Sequence, residues 1–440
     1  MRCVTPNDKN IIGKSDSESI QNAIDYAIEQ NINTVIIPKL SERTGLTEWV
    51  IEKSILLPSD ITIILDNCHL TLADGVYENI FRNKNICFES RSYLGEEQSH
   101  IQILGRGNAV LDGGNNENGL HEQTYQKMGI PMQTSHLIFL CNVVDYVIEG
   151  IKCVNMRYWA INQIGCKRGR LSDITFYNGA HVPNQDGINL RIGCSEILIE
   201  RIKGRTGDDS VALSAFPAEF DGAYLCKDRN CDIHDVTIRD VCTRTAATVV
   251  ALRCSDGAKL YNIRIDNIST SEEIYPDNQE YGPWGVVRIG ENNYYRNRPA
   301  IHGEIFNITV TNVRSLFRGT VYLAATLKDS VIRDVYAEGK SMYAISTYQS
   351  SGVFWENGCV VSGGASLENV LLENIHFNGT ADYRMEKFIN DPDENYIGCG
   401  LDFRCMRESD FLKNVIVRDV FVKEGVPIKL MREGLELNIQ

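Results

Sequence analysis

Hydrophobic and polar positions alternate along most of this chain in short bursts. One phrase keeps returning: apolar, any, apolar, any, Asn or Asp, apolar. It occurs at Val236–Val241 (VTIRDV), Ile263–Ile268 (IRIDNI), Ile308–Val313 (ITVTNV), Val370–Ile375 (VLLENI) and Val415–Val420 (VIVRDV). Looser copies stand at Ile174–Gly179, Ile197–Ile202 and Ser330–Val335. A period of two is that of a strand with one face inside. The Asn or Asp then breaks the strand into a corner, where its side chain can bond the local backbone. Some copies are spaced by one short coil, 197 − 174 = 23 and 263 − 236 = 27.

A strand and a corner cannot bury their own apolar face, so successive copies must stack, with strands about 4.8 Å apart. The pattern predicts an all-β chain folded as a single-stranded, right-handed parallel β-helix. A leucine-rich horseshoe would need a Leu-dense repeat of constant period, and these copies are Ile/Val-rich and irregularly spaced. Early β-branched runs at Val35–Pro38, Ile61–Leu65 and Ile101–Leu104 read as strands. One segment has helical spacing: Ser17–Glu29, with Ile20, Ala23, Ile24, Ala27 and Ile28 along one face. It is expected to cap the open end of the stack. Residues 1–440 thus read as one β-helix domain: a cap region over 1–40, and coils over 41–425 with loops inserted near 214–233 and 270–284. Residues 426–440 read as a C-terminal tail.

Charge narrows the partners. The 440 residues include 44 Lys and Arg against 58 Asp and Glu, a balance of 44 − 58 = −14. Nucleic acid and anionic membrane are disfavoured, because both need clustered bases. The first ten residues hold no apolar h-region, so a cytoplasmic protein is expected. Fourteen scattered cysteines fit buried reduced thiols. Cys226 and Cys231, near His234, have no second ligand pair at zinc-finger spacing.

On a β-helix, outward residues of neighbouring coils lie side by side, so chemistry requires acids one coil apart. Asn184-Gln185-Asp186-Gly187 is followed by Gly207-Asp208-Asp209, with 208 − 186 = 22, and both phrases lead into similar strands, Ile188–Leu190 and Val211–Leu213. A lone Asp could simply make a corner. Adjacent carboxylates repel, however, and a turn needs only one. Three close carboxylates cannot all ionise normally, and one is expected to hold a proton near neutral pH. That pairing of acid and base is what glycoside hydrolysis requires.

At this point the sequence resembles glycoside hydrolase family 28, the polygalacturonases and rhamnogalacturonases. The resemblance runs from Ser19–Ile24 through Gly105-Arg106-Gly107, Leu111–Gly113, Asn155–Asn162 and His181–Ile188 to Gly207–Asp209 and Gly285–Ile289. It implies an inverting, three-aspartate hydrolysis of pectic or related plant oligosaccharides, imported into the cell. Asp208 would be the general acid, and Asp186 and Asp209 would hold and activate water. No metal or organic cofactor is implied. Two features depart from the family. Its Gly-His-Gly motif is absent where Thr243–Val250 stands, and its Arg-Ile-Lys appears as Arg288-Ile289-Gly290. The missing Lys would hold a sugar carboxylate, so unmodified polygalacturonate is disfavoured. Arg288, Arg244, Trp284, His181 and Asn184 are the expected substrate contacts, with Tyr224, Tyr275 and Tyr281 as further ring candidates. A β-helix lyase, epimerase or sugar transferase, or a tailspike-like glycan-binding protein, could use the same groove. A homo-oligomer is open to such a fold, although no residue pattern demands one.

Overall fold

A computed structural model describes residues 2–179, 182–217, 220–226, 229–273, 285–291, 296–347, 355–356, 359–360, 365–380, 398–403, 406–430 and 437–440. The chain forms two compact units, residues 1–208 with 220–230 and 275–277, and residues 209–219 with 231–274 and 278–440. Each is built of parallel strands stacked coil on coil, the β-helix that the repeat predicts.

The first unit opens with helix α1, Asp16–Glu29. Ser15 caps it by accepting the Glu18 N–H at 3.1 Å, and Ile20, Ala23, Ile24 and Ala27 are buried. The helix packs on the strands Thr34–Ile37, Glu48–Ile51 and Ile55–Leu57. Buried Asp16 fastens it by accepting from Ser41 Oγ (2.9 Å), Arg43 Nε (3.0 Å) and the Val50 N–H (2.9 Å). The strands Ile55–Leu57, Phe81–Asn83, Ile138–Cys141, Ile161–Ile164 and Ile188–Arg191 then stack in parallel. Ile55, Phe81, Ile138, Ile161 and Ile188 occupy one column of that register and are fully buried. A short helix, Glu122–Met128, was not expected. It brings Tyr125 into a cluster with Met132, Tyr158 and Trp159.

In the second unit, Val211–Ala215, Thr248–Cys254 and Gly285–Ile289 stack in the same way. Below them come the ends of the long strands Ile305–Leu323 and Leu327–Ser346, then Cys399–Phe403. Val426–Leu430 pairs in parallel with Cys399–Phe403, and Asn438–Ile439 pairs with Leu412–Val422. The segment read as a tail therefore contributes two more strands. Its alternating Val426, Ile428 and Leu430 continue the period of two.

Corners explain the repeat. Asp240, Asn267, Asn312, Asp334, Asn374 and Asp419 all adopt φ between 53° and 58°, the left-handed region that Asn and Asp tolerate best among residues with a side chain. A second corner lies five residues earlier, at Asp235, Asn262, Asn307, Asp329, Asn369 and Asn414. Their side chains bond the neighbouring coil as well. Asn267 Nδ2 donates to Asp240 Oδ1 at 2.7 Å, Asn262 to Asp235 at 2.9 Å, Asn307 to Asn262 at 2.6 Å and Asn374 to Asp334 at 2.7 Å. In the first unit the rungs are ionic: Arg201 holds Asp173 by two bonds of 2.9 and 2.8 Å, and Arg168 holds Asp145 by two of 2.8 and 3.0 Å.

One copy needs correction. Pairing sets Ser172 against Glu200 and Ile174 against Ile202, so the corner opposite Arg201 is Asp173, and the copy is Gly169–Ile174 rather than Ile174–Gly179. Gly169 hid it, because the first apolar place has no side chain. The buried Tyr146 ring fills that place from the previous coil, and a methyl at 169 would overlap it.

Candidate active site

In the first unit, Asp186 ends the turn that precedes Ile188–Arg191. Its backbone oxygen accepts the Ala160 N–H at 2.9 Å, which fixes the turn to the preceding coil. The carboxylate is almost fully buried and accepts from Asn189 Nδ2 at 3.1 Å. Asn189 is registered against Asn162, and Asn162 Nδ2 lies 3.1 Å from His136 Nε2. Asp208 reaches the same turn from the next coil. The Gly207 and Asp208 N–H groups point at Gln185 O (3.0 and 3.3 Å), and Asp208 Oδ2 accepts the Asn184 N–H at 3.0 Å. Asn184 has φ 65°, which turns its N–H toward that carboxylate. Its contribution here is a backbone donor, whereas the sequence nominated it for substrate contact.

Around this turn the first unit holds a buried polar layer. Arg191 Nε is 2.5 Å from Asp221 Oδ2, and the Arg191 guanidinium lies 5.0 Å from the Trp159 ring centre. Trp159 stacks with His136 at 5.2 Å, and both are packed inside the protein. Burial pushes the His136 imidazole down to about 3, so it is neutral. Tyr224 is buried edge-on to Phe139 at 5.8 Å, and therefore anchors its loop instead of offering a sugar platform.

In the second unit, Asp209 lies two residues before Val211–Ala215. Its Oδ2 is hydrogen-bonded by Arg253 Nη2 and lies 3.7 Å from Arg288 Nη2. Both arginines also meet Glu291 Oε2, Arg253 Nε at 3.2 Å and Arg288 Nη1 at 2.9 Å. The side chains are 1% (Asp209), 6% (Glu291), 7% (Arg288) and 16% (Arg253) exposed, which makes this a buried two-carboxylate, two-guanidinium network. The sequence singled out neither Arg253 nor Glu291. The available signal was an arginine directly after the apolar run Val249–Leu252 in the strand Thr248–Cys254 (TVVALRC). Arg244, one of the expected substrate contacts, lies over the Phe317 ring at 3.7 Å and is buried. His181, Trp284, Tyr275 and Tyr281 lie outside the described residues.

Among the described residues, no group of three His, Cys, Asp or Glu side chains is placed to hold a metal ion. Among them too, no helix is long and apolar enough to cross a membrane.

Both acid phrases, Asn184–Gly187 and Gly207–Asp209, fall inside one matched segment. Residues 53–222 match glycosyl hydrolases family 28. The matched segment includes Asp186, Asp208 and Asp209 and stops short of Arg253, Arg288 and Glu291. No curated protein sequence matches the chain. Solved structures show the fold. The endo-xylogalacturonan hydrolase of Aspergillus tubingensis is 12% identical with TM-score 0.52, over 100% of this chain and 99% of that one. The surface adhesin PfbA of Streptococcus pneumoniae is 11% identical with TM-score 0.54, over 98% and 92%. A tailspike protein mutant of E. coli bacteriophage HK620, solved with a hexasaccharide, is 11% identical with TM-score 0.55, over 99% and 79%. At such identities the likeness is one of fold alone.

Proposed function

We propose that this chain is a glycoside hydrolase acting on pectic or related plant oligosaccharides by single displacement with inversion. The observation that carries the reading is the family 28 match over the segment that holds Asp186, Asp208 and Asp209. Asp208 gives a proton to the leaving glycosidic oxygen. Asp186 and Asp209 orient a water and take its proton as it attacks the anomeric carbon from the opposite face. Each unit supports its own part of this reading: in the first, Asp186 is held by a side-chain donor and Asp208 by a backbone N–H, and in the second, Asp209 is held by Arg253. Cytoplasmic residence belongs to the same proposal, and the free buried thiols Cys68, Cys141, Cys153, Cys166, Cys194, Cys254 and Cys399 support it.

The test is product analysis by mass spectrometry on pectic, rhamnogalacturonan, fructan and neutral galactoside oligomers, with and without EDTA. Products heavier by one water, first formed with the opposite anomeric configuration, are expected. Unsaturated or isomerised products, or binding without turnover, would overturn the hydrolase reading.

A further inference from the structure

We infer that Glu291 makes the subsite beside Asp209 selective for an uncharged sugar, an inference that rests on the hydrolase reading above. The guanidinium groups of Arg253 and Arg288 both face Asp209, and either alone would attract a sugar carboxylate. Both are already bound to the Glu291 carboxylate, at 3.2 and 2.9 Å, and both also face Asp209. An incoming carboxylate would have to displace Glu291 from a buried pair or settle beside two existing anions. Either costs more than seating a hydroxyl, because a buried charge without its partner is strongly disfavoured.

The backbone shows why a carboxylate occupies this place. Ala251 and Arg288 are registered neighbours on adjacent strands, so Arg253, two residues along, shares the Arg288 face. After Ile289 the chain turns at Gly290, with φ 91° and its N–H on Leu252 O at 2.7 Å. A side chain at 290 would be strained at that φ, and its Cβ would overlap Ala325. Position 290 therefore excludes a lysine, and the turn that excludes it swings Glu291 back onto Arg288. The missing base and the added acid are two results of one glycine.

The experiment pairs a galacturonic-acid oligomer with its carboxyl-reduced galactose counterpart of the same length and linkage. Wild-type kcat/KM is expected to favour the neutral oligomer by at least about tenfold, and Glu291→Gln to shift that ratio toward the acidic oligomer by about tenfold. Binding to Asp208→Asn, measured by calorimetry, reads the same preference without turnover. Tighter binding of the neutral oligomer supports the inference even where no oligomer is cleaved, an outcome that would sink the hydrolase reading alone. Equal or tighter binding of the acidic oligomer, binding of neither, or a folded Glu291→Gln with an unchanged ratio would overturn it. Should Glu291→Gln fail to fold, the wild-type ratio and the calorimetry still decide.

Discussion

Asn184 donates its backbone N–H to Asp208 Oδ2 across one coil, at 3.0 Å, from a left-handed φ of 65°. The bond fixes the rotation of the Asp208 carboxyl without using its chain neighbours. Asp208→Asn keeps an acceptor oxygen for Asn184 but cannot supply the proton. It should lower kcat by about 10²–10⁴-fold while leaving the melting temperature nearly unchanged. Steady-state kinetics beside a thermal melt checks this, and an active, folded Asp208→Asn would remove the aspartate from its acid role.

The Gly169–Tyr146 exchange predicts a steric cost. Gly169→Ala should destabilise the first unit by about 1–3 kcal/mol, since a buried ring must move to admit one methyl. Combining it with Tyr146→Leu should recover part of the loss, because the two residues contest one volume. Urea unfolding of the singles and the double completes the cycle. Additive losses would show that the two do not share the space.

Corner residues can be tested for conformation separately from bonding. Asn267 combines φ 57° with a 2.7 Å bond to Asp240. Asn267→Ala should cost about 1–2 kcal/mol, with the left-handed backbone supplying most of it. Asn267→Gly, free of that strain, should cost less than half as much in the same unfolding assay.

His136 predicts a pH dependence. Its folded value is pushed down to about 3 by burial, well below the ordinary 6.5. Below pH 6.5 the unfolded chain takes a proton that the folded chain refuses. Stability should fall by up to about 1.4 kcal/mol per pH unit from this group between pH 6.5 and 3. His136→Gln should flatten that part of the profile in urea titrations at pH 7, 5.5 and 4.5. An unaltered slope would assign the acid sensitivity to other groups.

Much of the fold was legible because two independent signals coincide in each phrase. A period of two marks the buried face of Ile263–Ile268, and Asn267 is among the few residue types that accept the corner's φ. Reading failed where a neighbour supplies what the local sequence lacks, as Tyr146 does for Gly169. It also failed for Glu122–Met128, whose seven residues (EQTYQKM) show no apolar stripe. At the site, the acid phrases could be found from their spacing. The arginine–glutamate network could not, since it depends on a register joining residues 288 − 251 = 37 apart and on a turn at Gly290.

Paired corners five residues apart recur unchanged from Asp235/Asp240 to Asn414/Asp419. Over the same stretch the registered step between coils is 263 − 236 = 27, 308 − 263 = 45, 331 − 309 = 22, 371 − 331 = 40 and 416 − 371 = 45 residues. All variation in step is thus expelled from the corner segment. Evolution, or an engineer, can lengthen or shorten the chain between corner segments while the hydrogen-bonded edge stays in phase. A single residue gained or lost within a corner segment would turn its strand inside out.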